Sequence, residues 1–228
     1  MITMLAQTAH QEFILLDGIQ GMRIEGSDFV LDETYGNTIK LDRKGYGILA
    51  WNSSVKVSSI SAYIGDPSPD LNNFENLWVG IYSKPMGETA NSTISGSVFD
   101  NNHIGVAFDG AVTNSKIINN RFNVRENSVF IPGDADLIHA NTGVYLRTAT
   151  STTIEQNVFD GIDQNNMSVN TAIYVEDGSA LGGSSEIYRN SFSSLDVTIQ
   201  SSDINDELFV DCNTFNNDIT AGDVLALA

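Results

Sequence analysis

A short pattern recurs along this chain and constrains its fold more than any other feature. An isoleucine or valine is followed three residues later by asparagine or serine, and two residues after that by phenylalanine or isoleucine. The pattern fits at seven places, which begin at Ile24, Val55, Ile94, Ile117, Ile154, Ile187 and Val210. Its shortest spacings, Ile94 to Ile117 and Ile187 to Val210, are both 23 residues. Self-similarity at a fixed period of this length indicates a repeat architecture.

A second recurring segment lies between these patterns and consists of a small residue followed by alternating apolar positions. It reads GILAW from Gly47, GIYSK from Gly80, GVAFD from Gly105, GVYLR from Gly143, AIYVE from Ala172 and VTIQ from Val197. Period-2 alternation and a high content of Val, Ile, Thr and Phe favour strands over helices. Each repeat therefore predicts three short strands: this segment, a strand that ends at the isoleucine, and a strand that carries the phenylalanine.

Three strands in 23 residues correspond to one coil of a right-handed parallel β-helix. We expect an all-β, single-stranded solenoid of about seven coils with three short parallel sheets, and one domain over residues 1–228. Longer spacings predict insertions at 61–77, 123–141 and 161–170. Neither end has the pattern of a polar cap, which solenoids need. We therefore expect an uncapped fragment of a longer protein, in which end-to-end self-association is an option.

Stacked coils place equivalent residues in columns about 4.8 Å apart. The turn between the second and third strands needs one residue at positive φ, a conformation that asparagine tolerates. We expect such a turn, with side chains hydrogen-bonded from coil to coil, at Ser27, Ser58, Ser97, Asn120, Asn157, Asn190 and Asn213. The isoleucine and valine column would fill the interior together with Phe29, Ile60, Phe99, Phe122, Phe159, Phe192 and Phe215.

The segments GVYL, TIEQNVF, AIYV and SEIYRNSF resemble the parallel β-helix repeat proteins of the pectate-lyase-like superfold. They are most similar to large secreted and cell-surface bacterial β-helix proteins, and the resemblance covers roughly residues 12–227. It implies a secreted or cell-surface location. It does not specify an activity, because this superfold includes lyases, hydrolases, epimerases, phage spikes and adhesins. Enzymes of the superfold usually bind substrate along the sheet formed by the first strands.

Composition and charge narrow the range of partners. The 29 acidic and 11 basic residues give a net charge of −18, which would repel a phosphate backbone, so no nucleic-acid partner is expected. No run approaches the roughly 20 apolar residues that cross a bilayer, so no membrane insertion is expected. The first residues lack the basic and apolar regions of a signal peptide, and we expect any export signal to lie outside this chain. Cys212 is the single cysteine, which excludes an internal disulfide.

Alternation predicts two rows of outward side chains on the sheet of first strands. The first row is Leu49, Tyr82, Ala107, Tyr145, Tyr174 and Thr198, and the second is Trp51, Lys84, Asp109, Arg147, Glu176 and Gln200. Exposed rings of Tyr82, Tyr145, Tyr174 and Trp51 could stack on sugar rings and bind a polysaccharide or a cell-surface glycan. The alternative is that aromatic residues are simply favoured on strand surfaces and pair across strands.

The second row alternates in charge through Lys84, Asp109, Arg147 and Glu176. By resemblance to lyases of the superfold these could be catalytic, with Arg or Lys as the base and Asp holding calcium. The simpler interpretation is a charge ladder, because like charges on neighbouring in-register strands would repel each other.

A further acidic pair, Asp134 and Asp136, lies near His139 in the longest insertion. Two carboxylates one residue apart could begin a calcium site, although calcium needs six to eight oxygen ligands and solvated loop acids are the simpler reading. We expect no dedicated metal site and no cofactor, with calcium as the one option left open.

These observations favour a non-enzymatic structural or adhesive segment of a secreted or cell-surface bacterial protein, one that could bind glycans. The repeat is strong, and no convergent catalytic set accompanies it. The alternative is a polysaccharide lyase or glycoside hydrolase of the pectate-lyase-like superfold that acts beside the same sheet.

Overall fold

The computed structural model describes residues 12–31, 45–61, 67–125, 141–162, 169–177, 183–203, 205–216 and 224–226. Within these ranges the regular secondary structure consists of 22 β-strands, and there is no helix. The strands form one parallel sheet of eight and two of seven, and each sheet takes every third strand of the chain. This topology is a parallel β-helix of seven coils with one strand of an eighth, and the predicted fold class is confirmed.

The three sheets are named A, B and C in the order in which each coil passes through them. Sheet A contains β1 (Glu12–Asp17), β4 (Tyr46–Trp51), β7 (Val79–Lys84), β10 (Ile104–Asp109), β13 (Thr142–Arg147), β16 (Thr171–Glu176), β19 (Val197–Ser202) and β22 (Val224–Ala226). Sheet B contains β2 (Met22–Glu25), β5 (Val55–Ser58), β8 (Thr93–Ser95), β11 (Lys116–Ile118), β14 (Thr153–Glu155), β17 (Ser185–Tyr188) and β20 (Leu208–Asp211). Sheet C contains β3 (Asp28–Val30), β6 (Asn72–Glu75), β9 (Ser97–Asp100), β12 (Arg121–Arg125), β15 (Val158–Ile162), β18 (Ser191–Ser193) and β21 (Thr214–Asn216).

The core is a column of seven stacked phenylalanine rings with aliphatic columns beside it. Neighbouring ring centroids are 4.7 to 5.3 Å apart, through Phe29, Phe74, Phe99, Phe122, Phe159, Phe192 and Phe215. This interval is close to the spacing of hydrogen-bonded strands, so ring stacking and strand pairing hold the same register. Burying one such ring stabilises the fold by about 1.5 to 3 kcal/mol.

Four predicted first strands begin with glycine, at Gly47, Gly80, Gly105 and Gly143, because the phenylalanine column lies directly beside them. A Cβ atom on Gly80 would stand 2.6 Å from the carbonyl oxygen of Gly105 and 2.8 Å from Cδ1 of Phe99. Both distances are far below van der Waals contact. The glycine therefore allows the backbone of sheet A to approach the core rings.

The asparagine ladder between sheets B and C is present, and each amide in its centre is fully used. The Asn157 oxygen accepts from the Asn120 backbone N–H at 2.9 Å and from the Asn120 side-chain amide at 3.1 Å. The Asn157 amide nitrogen donates to the Asn190 oxygen at 3.0 Å and to the Ile117 carbonyl at 2.8 Å. Asn157 is 1% exposed, so these bonds satisfy polar groups that water does not reach.

The expectation that the ladder asparagines take positive φ is wrong. The left-handed residue is the one before each of them, with φ between 53° and 56° at Asn119, Gln156, Arg189 and Cys212. The physical reason is that the N–H of each ladder asparagine bonds to the amide of the next coil. The chain therefore bends one residue earlier, on the solvent side of the turn.

In the second coil the predicted positions of Val55, Ser58 and Ile60 in the columns are wrong. Their places are taken by Val57, Asn72 and Phe74. The insertion begins before Ile60, which is 43% exposed and forms an antiparallel bridge with Asp70. The predicted insertion 61–77 therefore contained strand β6, and β12 and β15 likewise extend into the predicted insertions 123–141 and 161–170.

In the last full coil the predicted rows are shifted by two residues. Tyr174 pairs with Gln200 instead of Thr198, and Glu176 pairs with Ser202 instead of Gln200. A shift of two keeps Gln200 on the outward face that was predicted for it. Alternation alone therefore could not reveal the error.

We expect Asn157→Ala to lower the free energy of unfolding by about 3 kcal/mol, because it removes the acceptor of the buried Asn120 backbone N–H and three further buried hydrogen bonds of the ladder. Urea titration measures the change. Asn157→Ser should cost less, because serine already occupies this column at Ser97 and at Ser27.

The matched control is Asn73→Ala, which removes an exposed bond to Asp28 on the outer side of sheet C. It should change the stability by less than about 0.5 kcal/mol. Equal effects of Asn157→Ala and Asn73→Ala would contradict a structural role for the ladder.

Candidate functional site

The outer face of sheet A, where the predicted site residues lie, is itself packed. It carries a second hydrophobic cluster, separate from the phenylalanine core, which we call the outer aromatic cluster. Its members are Tyr46, Leu49, Trp78, Val79, Tyr82, Ile104, Ala107, Tyr145 and Tyr174. All six residues of β10 are buried, so this strand is covered on both faces. Strands of this kind have near-continuous apolar sequences, as these do.

The predicted exposure of the tyrosine row is wrong. Tyr82, Tyr145 and Tyr174 lie on the outer face as predicted, but they are 5%, 1% and 6% exposed. Rings so covered cannot present a face to a sugar. Strand alternation determined the direction in which these side chains point, and it contained no information about what packs against them.

The three tyrosine hydroxyls each join their own coil to the next. Each is hydrogen-bonded to a side chain in the neighbouring row, one coil further on. The pairs are Tyr82 to Asp109 at 2.8 Å, Tyr145 to Glu176 at 2.6 Å, and Tyr174 with Ser202 at 2.9 Å. Burial raises the pKa of both the Tyr82 and the Tyr145 hydroxyls, so these two phenols stay protonated and donate. The row is therefore bound into the sheet by its rings and its hydroxyls.

Asp109 is the centre of the polar cluster in the second row. Both of its carboxylate oxygens accept from Arg147, at 2.7 Å each, in the bidentate geometry that guanidinium groups favour. Lys84 stands 3.2 Å away on the preceding coil, and Tyr82 donates to one oxygen. Asp109 is only 4% exposed.

Two opposing effects act on the Asp109 carboxyl. Burial alone would raise its pKa, but the hydrogen bonds from Arg147 and Tyr82 and the nearby positive charges outweigh burial and hold the pKa below its usual value. The hydrogen bond to Asp109 in turn raises the pKa of Arg147. The pair is therefore ionised on both sides at neutral pH.

The structure brings Lys84, Asp109 and Arg147 together on adjacent coils, as their row predicts. Their arrangement is that of a charge ladder, in which each charge contacts its opposite. Glu176, the fourth weak catalytic candidate, accepts the Tyr145 hydroxyl instead. Arg147 and Tyr82 would compete with calcium or a substrate proton for the Asp109 oxygens. The catalytic assignment of these residues stays a prediction.

Trp51 differs from the other three predicted ligand-binding residues because it is 40% exposed. It begins the same row as the charge ladder, with Asp17 beside it on β1 and Lys84 beside it on β7. An indole face and two charged groups of opposite sign therefore meet solvent together at this end of sheet A.

The outer aromatic cluster includes residues that the sequence prediction missed. Tyr46 stacks on Tyr82 with ring centroids 5.7 Å apart, and Trp78 stacks on His103 at 4.1 Å. Tyr46 occupies the position just before the small residue of its strand, where other coils carry Val79 and Ile104. An apolar residue at this recurring position was the signal that could have revealed a packed outer face.

The predicted calcium ligands Asp134 and Asp136, with His139, lie outside the described residues. In the part of the chain that the structure describes, no three His, Cys, Asp or Glu side chains are placed to hold a metal ion. That same part contains no helix with the length and apolar character of a membrane span. A polysaccharide partner, calcium binding and end-to-end self-association all stay predictions.

One small pocket lies between the fourth and fifth coils, within the part of the chain that the structure describes. A cavity of about 10 Å³ lies between Phe99, Phe122 and Gly143. A volume of this order holds one water molecule at most.

The sheet topology makes this chain a parallel β-helix protein. No protein-family model and no curated protein matches the sequence. Among solved structures it is similar to the Streptococcus pneumoniae surface protein and adhesin PfbA, with 14% sequence identity and a TM-score of 0.45. The match covers 97% of this chain, and the chain spans 64% of the length of that one. A similarity at this level says nothing about activity or partners.

We expect Asp109→Asn to destabilise the fold by about 3 kcal/mol at pH 6, because Arg147 loses the carboxylate that it contacts. The folded-state pKa of Asp109 is depressed. Its charge therefore stabilises the fold above the unfolded pKa of about 3.9, and this contribution is lost as pH falls through the folded value. The difference in melting temperature between wild type and variant should be largest at pH 6 and should decrease towards zero as the pH approaches 2.

Asp160→Asn is the control for this measurement. Asp160 is 3.6 Å from Arg121, and its side chain is 35% exposed, so its loss should cost less than about 0.5 kcal/mol. A pH-independent difference for Asp109→Asn would show that ionisation of this carboxyl does not stabilise the fold.

Proposed function

We propose that this chain is a non-catalytic structural and adhesive segment of a secreted or cell-surface bacterial protein. A solenoid whose coils are joined by stacked rings and hydrogen bonds is a rigid spacer that carries its turns and insertions at fixed intervals. Loops on a rigid scaffold commonly carry binding. The sequence resemblance to bacterial surface β-helix proteins supports the location.

One observation carries the non-catalytic part of the proposal: the state of Asp109. A general base or a metal ligand needs a lone pair that the substrate or ion can reach. Asp109 is 4% exposed, and Arg147, Lys84 and Tyr82 surround its two oxygens. These contacts are what a structural ion pair requires, and they leave the candidate set without a free acid or base at its centre.

The adhesive part of the proposal centres on Trp51. An exposed indole beside charged groups combines an apolar face with polar contacts, the composition typical of small-ligand sites. Because the tyrosine row is buried, Trp51 is the member of the predicted set that can contact a glycan from solution. Lys84 and Asp17, its neighbours in register, would hydrogen-bond to the sugar hydroxyls.

A polysaccharide panel tests catalysis directly. We expect no unsaturated uronate absorbance and no new reducing ends with the wild-type chain, because its candidate residues are held by one another. Turnover that Lys84→Ala or Arg147→Ala abolished, while Arg121→Ala preserved it, would instead establish the lyase or hydrolase alternative. Melting temperatures of all three variants would separate loss of activity from loss of fold.

Retention on immobilised neutral glycans tests the adhesive role. We expect Trp51→Ala to reduce retention at least about fivefold, the loss of roughly 1 kcal/mol of aromatic contact. The matched control is Phe209→Ala, an exposed aromatic residue on sheet B at the far end of the solenoid, and it should retain wild-type binding. Equal retention of wild type and Trp51→Ala on every glycan would contradict the adhesive role at Trp51 and leave only the structural role of the proposal.

A further inference from the structure

The outer face of sheet B has a stretch without acidic residues, which is unusual on a chain with a net charge of −18. We call it the sheet B strip, and it spans the second to the fourth coil. Its members are the outward residues of β5, β8 and β11: Lys56, Ser58, Thr93, Ser95, Lys116 and Ile118. The strip is two residues wide, and its first row holds both lysines.

The two lysines stand at a defined interval along the solenoid axis. Lys56 pairs with Thr93, and Thr93 pairs with Lys116, so two strand spacings separate the lysines, about 9.6 Å. Both side chains are exposed. Within the described ranges neither lysine forms an ion pair.

The neighbouring charges define where the strip begins and ends. On the first coil, Arg23 continues the lysine column, but it is paired with Glu25, which also accepts a hydrogen bond from Ser58 at 2.9 Å. On the far side, Glu155 appears on the fifth coil and Glu186 on the sixth. Acidic residues therefore bound the strip at both ends, with Glu25 before Lys56 and Glu155 beyond Lys116, and hydroxyl groups lie between and beside the lysines.

We propose that the sheet B strip binds a linear anionic polysaccharide that lies along the solenoid axis. Lys56 and Lys116 would contact successive carboxylate or sulfate groups, and the hydroxyl of Thr93 would hydrogen-bond to the sugar between them. A glycan with one charge per disaccharide spaces its charges at about the interval of the two lysines. Recognition would thus depend on the match between the spacing of charges along the polymer and the spacing of lysines along the solenoid.

Charge density explains why this partner fits when nucleic acid does not. Double-stranded DNA carries one charge per about 1.7 Å, and the acidic remainder of this chain would repel so dense a polyanion. A glycan with one charge per two sugars meets far less repulsion. Two exposed lysines can offset that smaller cost, particularly at low ionic strength where screening is weak.

This site is separate from the one proposed at Trp51, because it lies on a different sheet and requires a charged glycan. Its failure and the failure of the proposed adhesive role are therefore distinguishable: neutral glycans test Trp51, and anionic glycans test the strip. Neither outcome decides the other.

Calorimetric titration with hyaluronan oligosaccharides, at low salt and with uncharged dextran as the blank, tests the proposal. The double variant Lys56→Gln/Lys116→Gln should bind roughly tenfold more weakly, the sum of two exposed charge pairs. Thr93→Lys adds a third lysine between them and should tighten binding. A gain of affinity cannot arise from misfolding. Thr93→Lys therefore tests the proposal even if the double variant proves unstable.

The control is Arg121→Gln/Arg189→Gln, which changes the net charge by the same amount on other parts of the surface. It should bind hyaluronan as the wild type does. Equal weakening by both double variants, no gain from Thr93→Lys, or no binding by the wild type would each overturn the proposal. Self-association of the wild type that Lys56→Gln/Lys116→Gln abolishes would assign the strip to a second copy of the chain and would also overturn it.

Discussion

In-register stacking of successive coils is the constraint on which every other feature of this molecule depends. Strand pairing, the phenylalanine rings at 4.7 to 5.3 Å and the asparagine amides all repeat at about one interval along the axis. Each column therefore reinforces the register of the others. Asn157 shows this most clearly, because its one amide bonds to the coil before it and the coil after it. Rows on the outer faces exist only because this register is kept.

The same stacking accounts for the polar cluster at Asp109. A parallel, in-register sheet places equivalent positions side by side, so ionisable residues in one row must alternate in sign or be paired. Lys84, Asp109 and Arg147 meet this requirement. Beneath them, the outer aromatic cluster buries the hydroxyl donors that complete the network. In the folded chain these three residues join three successive coils through their ion pairs.

The predictions that succeeded were those carried by strong periodicity. The spacing of 23 residues predicted the coil, and the asparagine and phenylalanine letters predicted two columns that the structure contains. The failures have two physical causes. Val55 and Gln200 were misplaced by two residues, a shift that preserves the inward and outward alternation. Ile60 was assigned to the core because an insertion began earlier than its composition indicated.

The sequence by itself determined the coil, the three sheets, most of the ladder and the face on which most strand residues lie, because these follow from local spacing and a repeat that is visible in one dimension. Only the tertiary structure decided that Tyr145 is buried while Trp51 is exposed, although both point outward. It also decided that Lys56 and Lys116 share a column, since the register of the second coil depends on an insertion. Burial and register across insertions depend on residues that are distant in the chain, and a local pattern does not record them.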